Sequence, residues 1–379
     1  MRILVATDKF KGTFTSAEAA AAIRDTILEM EPEWDVRTLP LGDGGEGTTR
    51  ILVESIGGTF HKVSAADPLF RQVTCNLGMS PDGQTAFIDS SDPVGLHRMQ
   101  QDGPNPLKAS SRGVGELIRA ALQRRVKRIV VAVGGTATMD AGTGLLQALG
   151  VRFFNEDHQS LMPTGANLGK IENLKTDGFA LANSKVEIIF LCDVDLPLLE
   201  ENEGGGVMRF GGQKGLSPQD RPLMHAAFGN FRNLMEAKHH GKPKLPGMGA
   251  GGGMAFALSG LYPVRLEPGG KWVANAIGLD QSIHEADLVI TGEGRLDSTT
   301  FNGKCVSVVA DMAVRQDKPV VAIVGKNALK AEEWSELGLD SVYPLMPDGE
   351  HSGLEMSSSL AAIQTATRQF VLDHRLKLK

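Results

Sequence analysis

The sequence predicts an α/β fold in which a discontinuous doubly wound domain carries a second α/β domain as an insertion. Short β-branched runs alternate with helical patterns at both ends of the chain, as in a parallel sheet covered by helices. Between residues 60 and 285 this alternation breaks, because several strand-like segments follow one another with only turns between them. The length of 379 residues also exceeds the usual size of one domain.

The N-terminal segment contains the first two βα units. Arg2–Thr7 has the β-branched, apolar character of a buried strand. A helix is predicted from about Ser16 to Met30, because Thr15 and Glu18 have the spacing of a capping box. A second strand, a charged glycine loop and a second helix follow, so this end of the chain reads βαβα.

The middle of the chain follows a different pattern. Three strands with only turns between them are predicted at His61–Ala65, Gln72–Met79 and Thr85–Asp89. Two further buried strands are predicted at Arg128–Val133 and Val186–Leu191. We therefore expect a separate domain to begin near residue 60.

The βα alternation resumes after Ile283. Strands are predicted at Asp287–Thr291, Val320–Val324 and Ser341–Leu345, each followed by a helix, and the last helix runs from Leu354 to about residue 371. The predicted boundaries are therefore 1–60 with 286–379 for the doubly wound domain and 61–285 for the insertion. An active site is expected in the cleft between two such domains.

Composition excludes several classes of function. The formal net charge of −6 and the lack of a basic stripe argue against a nucleic-acid-binding protein. No apolar run approaches the length of about 20 residues that crosses a bilayer. Cys75, Cys192 and Cys305 show neither a pairing pattern nor CxxC spacing, which indicates a reducing compartment and argues against zinc. We therefore expect a cytoplasmic protein that does not associate with membranes.

Charged loops follow three predicted strands of the doubly wound domain. Asp8 to Gly12 (DKFKG) supplies Lys9 and Lys11, and Asp43 lies in the glycine loop after the second strand. Glu293, Arg295 and Asp297 follow a third strand in the sequence GEGRLD. One such loop alone would be read as a solvated turn, but three at the carboxyl ends of strands in one sheet indicate a ligand site.

The predicted insertion contains a glycine-threonine loop after a buried strand, at the start of a helix. Adjacent glycines and two hydroxyls suit an anion held by backbone N–H groups, although Asp140 could instead merely cap the helix. Asp193 ends another apolar strand, which favours a functional carboxylate. The candidate residues of the loop are Gly134, Gly135, Thr136 and Thr138.

These groups fit phosphoryl transfer better than other chemistry. Lysines and backbone N–H groups hold phosphates, carboxylates carry Mg²⁺, and one carboxylate takes the proton of the acceptor hydroxyl. A Walker A motif is absent from the sequence. The pattern GxGxxG occurs at Gly247, Gly249 and Gly252 but does not follow a predicted strand, so a dinucleotide-dependent dehydrogenase is not favoured.

Taken together, the motifs resemble those of the bacterial type I glycerate kinase family. The similarity covers nearly the whole chain, in order, and is carried by DKFKG, LGDGGEGT, VGGTATMDAGTG, CDV, QKG, GAGGG, ITGEGRLD and NGK. The resemblance implies ATP- and Mg²⁺-dependent phosphorylation of D-glycerate, with 2-phosphoglycerate and ADP as products. It also implies a flavodoxin-like, Rossmann-like doubly wound domain built from both chain ends, with an inserted α/β domain. Whether the protein is a monomer or a homodimer stays open.

The resemblance and the residue chemistry together assign roles. Asp193 is the predicted base or acceptor-orienting carboxylate, with Asp43 as its rival and Lys9 as a third catalytic candidate. Arg295, Asp297 and Glu293 are expected to bind the substrate, and Asp297 with Glu293 either holds Mg²⁺ or positions the loop. The predicted phosphate- and nucleotide-binding residues are Lys11, Gly134, Gly135, Thr136, Thr138, Lys214, Gly251 and Gly252.

The sequence departs from the family pattern at several positions. Because of these departures, a kinase for another small hydroxy acid and a non-catalytic sensor of nucleotides or organic anions stay open as alternatives. The departures are Lys9, Asp89 to Ser91, Thr136, Met139, Leu196, Glu200 and Ser298.

Overall fold

The structure, a computed structural model, describes residues 1–10, 12–192, 196–200, 206–238, 245–346 and 356–377. The strands in chain order are β1 (Arg2–Thr7), β2 (Asp35–Thr38), β3 (Thr59–Ala66), β4 (Gln72–Met79), β5 (Thr85–Asp89), β6 (Arg128–Ala132), β7 (Arg152–Phe154), β8 (Asn173–Lys175), β9 (Glu187–Cys192), β10 (Arg265–Pro268), β11 (Leu288–Gly292), β12 (Arg295–Leu296), β13 (Val320–Val324), β14 (Lys326–Asn327) and β15 (Ser341–Pro344). The α-helices are α1 (Ser16–Met30), α2 (Thr48–Ser55), α3 (Ser91–Val94), α4 (Arg112–Gln123), α5 (Thr143–Ala148), α6 (Gly165–Leu168), α7 (Arg221–Lys238), α8 (Met254–Ser259), α9 (Gly269–Ala276), α10 (Leu279–Glu285), α11 (Cys305–Val314), α12 (Ala331–Glu336) and α13 (Met356–Lys377). Short 3₁₀ segments occur at Leu96–Met99, Gly206–Phe210, Gly212–Lys214, Ala250–Gly252 and Ser298–Asn302.

The predicted α/β class is confirmed, and the described chain divides into two compact units. The first consists of Met1–Asp43 and Gly269–Lys379, and the second of Gly44–Pro268. The boundaries predicted from the sequence, near residues 60 and 285, lie C-terminal to the division points of the structure, after residues 43 and 268. Helix α2 falls in the second unit because it packs against β4 and β5. Helices α9 and α10 fall in the first unit because they pack against α11.

The first unit contains a parallel five-stranded sheet in the order β15-β13-β11-β1-β2. When the five strands are renumbered 1 to 5 in chain order and read from the β2 edge, the order is 2-1-3-4-5. This is the strand order of flavodoxin-like folds. One face of the sheet packs against α1 and α13, and α9, α10 and α11 cover the other. The capping box predicted for α1 is present, since Thr15 accepts from Glu18 N and Glu18 accepts from Thr15 N. Full burial of Ile23 and Ile27 stabilises the packing of α1 by about 1.5–3 kcal/mol per side chain.

The second unit is built on a six-stranded sheet in the order β10-β9-β6-β5-β4-β3. The β3–β4 and β4–β5 pairs are antiparallel, and the remaining pairs are parallel. The antiparallel half matches the strands that the sequence predicts without helices between them. The core of this unit is continuous and is lined by the buried faces of the central strands together with α4, α5 and α8. Among the described residues, no helix is long and apolar enough to span a membrane.

Candidate active site

The carboxyl edge of the five-stranded sheet carries the first group of predicted site residues. The chain runs from β1 to β2 on one side and later returns to β11 on the other, so the topological switch point lies between β1 and β11. Asp8 and Lys9 follow β1, Asp43 lies after β2, and Glu293 follows β11. The charged residues after three neighbouring strands therefore lie along the edge at which open α/β sheets bind ligands.

Lys9 and Asp43 form an ion pair at this edge. Lys9 Nζ lies 2.7 Å from Asp43 Oδ1, and the two side chains are 27% and 21% exposed. Burial disfavours the charge of Lys9, but the carboxylates of Asp43 and Asp8 outweigh it and raise the pKa of the Lys9 ammonium above its ordinary value. Lys9 is therefore a fixed positive charge that can meet an anionic ligand.

Asp8 has no predicted role, yet its carboxylate is deeply buried. Its side chain is 6% exposed, and its Oδ1 accepts a hydrogen bond of 2.7 Å from Lys9 N. Its own N–H donates to the carbonyl of Gly292, which joins the ends of β1 and β11. Burial, and after it the charge of Asp43, raises the pKa of Asp8 to about 7.

Glu293 is fixed by the loop that follows β11. It is 5% exposed, and its Oε1 accepts a hydrogen bond of 2.6 Å from Thr300 Oγ1. Lys304 Nζ lies 3.8 Å from Oε2. Burial raises the pKa of Glu293 above its ordinary value, and the Thr300 bond and the charge of Lys304 oppose this rise.

Asp297 lies in the same loop and caps the 3₁₀ segment Ser298–Asn302. Its Oδ1 accepts from both the N–H and the hydroxyl of Thr299, and Arg295 Nε lies 3.1 Å from Oδ2. Burial opposes ionisation of Asp297, but the bonds from Thr299 and the nearby cations lower its pKa. The contacts of Asp297 are thus those of a residue that positions the loop, which is one of its three predicted roles.

The carboxylates near β11 fit a magnesium ion to different degrees. Among the residues that the structure describes, no group of three or more His, Cys, Asp or Glu side chains could together hold a metal ion. Mg²⁺ in kinase sites is commonly held by one or two carboxylates, with phosphate oxygens and water completing the shell. Among the described residues, the one polar partner of Glu293 Oε2 is Lys304 at 3.8 Å, whereas both oxygens of Asp297 are engaged, so Glu293 suits this role better. The assignment of both residues to a metal stays a prediction.

The glycine-threonine loop after β6 holds a buried lysine. Lys214 is 6% exposed, and its Nζ donates to Thr136 Oγ1 at 3.1 Å and to the carbonyl of Thr138 at 2.9 Å. Gly135 has φ +70°, and a Cβ on Gly134 would lie 2.4 Å from Gly45 Cα. The structure therefore brings Gly134, Thr136, Thr138 and Lys214 together, as the prediction of a phosphate-binding loop requires.

The second glycine segment packs against this loop. Gly251 and Gly252 have φ values of +59° and +76°, and a Cβ on Gly252 would lie 2.2 Å from the carbonyl oxygen of Thr138. Only glycine allows this backbone conformation together with so close an approach. Thr138 Oγ1 is buried and has no hydrogen-bond partner among the described residues. An orphaned hydroxyl beside a buried ammonium is a donor that suits a bound anion.

Asp140 closes the other side of the loop and has a structural role. Its carboxylate accepts hydrogen bonds from the N–H and hydroxyl of Ser111 and from the N–H groups of Gly142 and Gly144. Burial raises its pKa, and these four bonds oppose the rise. The capping interpretation of Asp140 therefore describes its contacts, and the threonines and Lys214 stay the predicted anion-binding groups of the loop.

Asp89 is a second, half-buried carboxylate with no predicted role. It ends β5 and accepts hydrogen bonds from Gly47 N and from the N–H and hydroxyl of Ser91. Burial raises its pKa to about 6, although these bonds oppose the shift. Asp89 and Ser91 line a cavity of about 310 Å³, together with Glu46 and His97.

Two predicted residues cannot be placed in this geometry. Asp193, the predicted base or acceptor-orienting carboxylate, and Lys11, a predicted phosphate ligand, lie outside the described residues. Their roles stay predictions. Sequence reasoning missed Asp8 and Asp89, and the available signal for both was a carboxylate at the carboxyl end of a buried strand.

Comparison with known proteins identifies the family. The glycerate kinase family model matches residues 3–373. The glycerate kinase of Bacillus subtilis (strain 168) is 35% identical over 351 residues, which cover 92% of this chain and 91% of that protein. The glycerate 2-kinase of Escherichia coli (strain K12) is 33% identical and covers 91% of each chain.

Solved structures agree with this result. A crystal structure of a Salmonella typhimurium LT2 protein, provisionally named glycerate kinase 2, is 34% identical, covers 100% of both chains and superposes with a TM-score of 0.82. The resemblance inferred from the motifs is thereby confirmed over nearly the whole chain. The chain belongs to the glycerate kinase family, and it is a phosphotransferase with an alcohol group as acceptor.

Proposed function

We propose that the protein transfers the γ-phosphoryl group of ATP to the 2-hydroxyl of D-glycerate, giving 2-phosphoglycerate and ADP. The observation that carries the proposal is the buried ammonium of Lys214 in the glycine-threonine loop, beside the orphaned Thr138 hydroxyl. An ammonium and a donor fixed in a water-poor loop suit phosphate oxygens, whose charge they stabilise during transfer. The family and the names of the relatives support the choice of acceptor.

The phosphate groups of ATP are assigned to the second unit. Lys214 supplies the positive charge, Thr136 and Thr138 supply hydroxyls, and Gly251 and Gly252 let the backbone approach the ligand closely. The backbone N–H groups of Gly134 and Gly135 are assigned to the same phosphates. In this assignment the loop holds the transferred group in place and stabilises its charge.

The acceptor and its reactive groups are assigned to the first unit. D-glycerate is a carboxylate at neutral pH, so its binding requires a cation, and Arg295 and Lys9 are the candidates. Glu293 would hold Mg²⁺, which supplies charge neutralisation on the phosphates when it is bound. Asp193 stays the predicted base or acceptor-orienting carboxylate, with Asp43 as its rival.

We also propose that the enzyme works in the cytoplasm, as a monomer or a homodimer. Cys75, Cys192 and Cys305 are buried and form no disulfide bond with one another, which agrees with a reducing compartment. The formal net charge of −6 gives no support for a nucleic-acid partner.

A coupled ADP assay tests the proposed function. The purified protein is incubated with ATP, Mg²⁺ and a panel of small hydroxy acids that includes both enantiomers of glycerate. We expect ADP release only when an acid is present, with the highest kcat/KM for D-glycerate, and a phosphate on the 2-hydroxyl in the phosphorus NMR spectrum of the product. ADP release that does not depend on the acid would contradict the proposal, as would a product phosphorylated on the 3-hydroxyl.

A further inference from the structure

The switch point of the five-stranded sheet contains a carboxylate whose position fits proton transfer. Asp8 is the first residue after β1 and is hydrogen-bonded through its N–H to the end of β11. Ligands of doubly wound folds bind outside the carboxyl ends of the two strands that flank the switch point. Asp8 therefore lies at the place in this unit where the topology itself predicts a reacting ligand.

The groups around Asp8 leave its carboxylate without a directly paired cation among the described residues. Lys9, the one cation among the groups that shift the pKa of Asp8, forms its 2.7 Å ion pair with Asp43 instead. The charged and titratable groups that face Asp8 are Lys9 on its own segment, Asp43 after β2, Glu293 after β11 and Cys305 at the start of α11. Among the described residues, only one of these four groups is a cation, and it is paired with Asp43.

We infer that, on the function proposed above, Asp8 is the catalytic residue that accepts the proton of the acceptor hydroxyl. As the hydroxyl oxygen forms its bond to the γ-phosphorus of ATP, its proton passes to the Asp8 carboxylate. The bond from the γ-phosphorus to the bridging oxygen breaks at the same time, and its electron pair leaves with ADP. The step needs no further reactant, and Asp193 keeps the role of orienting the acceptor.

The environment of Asp8 also suits this chemistry. A general base works best when its pKa lies near the operating pH. Burial and the charge of Asp43 raise the pKa of Asp8 to about 7, whereas Lys9 and its N–H oppose the shift. Burial and the carboxylates of Asp8 and Asp43 raise the pKa of the Cys305 thiol well above its ordinary value, so Cys305 stays neutral and does not compete for the proton.

Asp8→Asn is the discriminating variant. Asparagine has nearly the same shape, and its Oδ1 can keep the hydrogen bond from Lys9 N, so the substitution removes the base with little other change. Asp8→Glu keeps a carboxylate and serves as the conservative variant. Asp25→Asn, at an exposed aspartate of α1, is the matched control for loss of one negative charge.

The steady-state kinetics of the four proteins are measured from pH 5.5 to 9, and ADP affinity and thermal unfolding are measured in parallel. We expect kcat of Asp8→Asn to fall by about 10²–10⁴-fold, the range for loss of a general base, with ADP affinity and melting temperature retained. The kcat/KM of the wild-type protein should rise as the pH increases through about 7, and this rise should be absent in Asp8→Asn. Asp8→Glu should recover part of the kcat that Asp8→Asn loses.

Two results would overturn the inference. One is a folded Asp8→Asn protein that keeps kcat within about tenfold of the wild type, since a lost base costs at least about 10²-fold. The other is an unchanged pH profile in that variant. If the wild-type protein itself shows no acid-dependent ADP release, the proposed function fails first, so the two failures are distinguishable. If Asp8→Asn does not fold, the pH profile and kcat of Asp8→Glu decide the question.

Discussion

Replacing Lys214 by methionine tests whether its buried ammonium serves a bound phosphate or the fold. Methionine has a similar length and is apolar, so the change removes the charge while largely filling the same space. If the lysine serves the ligand, catalysis should suffer far more than stability. If it serves the fold, both should decline together.

The magnitudes follow from the contacts of Lys214. Two unit charges 4 Å apart interact by about 4 kcal/mol at an effective dielectric constant of 20, so loss of the ammonium should lower kcat/KM by about 10³-fold. The hydrogen bonds to Thr136 Oγ1 and the Thr138 carbonyl, at 3.1 and 2.9 Å, are lost as well. Their loss is offset by removal of the desolvation penalty of a charge that is only 6% exposed. We therefore expect the free energy of unfolding to change by no more than about 1 kcal/mol.

The measurements are kcat/KM for ATP, the dissociation constant of ADP by calorimetry, and urea unfolding. Lys185→Met, at an exposed lysine of the same unit, is the matched control and should leave all three unchanged. Lys214→Arg should fall between the variant and the wild type, because it keeps the charge and alters the geometry. The reasoning is refuted if Lys214→Met keeps kcat/KM within tenfold of the wild type, or if its loss of activity is matched by unfolding.

Two further predictions concern the stability of the second unit, one at Gly252 and one at Asp89. Gly252→Ala should lower the free energy of unfolding by at least about 1–2 kcal/mol, because its φ of +76° and the 2.2 Å approach to the Thr138 carbonyl exclude a Cβ. The control is Gly229→Ala, where a Cβ meets nothing within 4 Å, and this change should raise the free energy of unfolding by about 0.5–1 kcal/mol. Urea unfolding measures both variants. Because burial raises the pKa of Asp89 to about 6 from an ordinary value of 3.8, the native state binds its proton more tightly than the unfolded state, so this residue's contribution to stability should fall as pH rises from 4 to 6. Asp89→Asn should remove that part of the slope of unfolding free energy against pH, and an identical slope in both proteins would show that the carboxyl does not titrate as described.

Local patterns were sufficient to predict most of the fold. β1 and α1 occur at the predicted residues, because an uninterrupted β-branched run and a capping box are short-range signals that need no tertiary partner. The last helix ends later than predicted, at Lys377, and Arg375 in its final turns donates a hydrogen bond to the carbonyl of Met30 at the end of α1. Helix ends that depend on packing are not encoded in the local pattern.

The site was predicted less completely than the fold. Thr136, Thr138 and Lys214 were named separately, but the bond between the lysine and the loop joins positions 78 residues apart, and no spacing in the sequence contains that information. Asp8 was given no role of its own, although the loop that carries it was predicted to belong to the site. The raised pKa of Asp8 depends on its burial and on the charge of Asp43, and Asp43 comes close to it through the pairing of β1 with β2.

The division of the chain also has a consequence for the order in which the protein folds. Gly44–Pro268 is one continuous stretch, so all of its strands are available once the ribosome has passed that segment. β1 pairs with β11, and hydrogen bonds join Arg2 to Asp287 across 285 positions. The first strand therefore emerges long before its central partner is synthesised, and the edge on which Asp8 lies is completed last. Pairing two strands that are so far apart in sequence is slow. If the second unit folds first, the flexible chain between β1 and β11 becomes shorter.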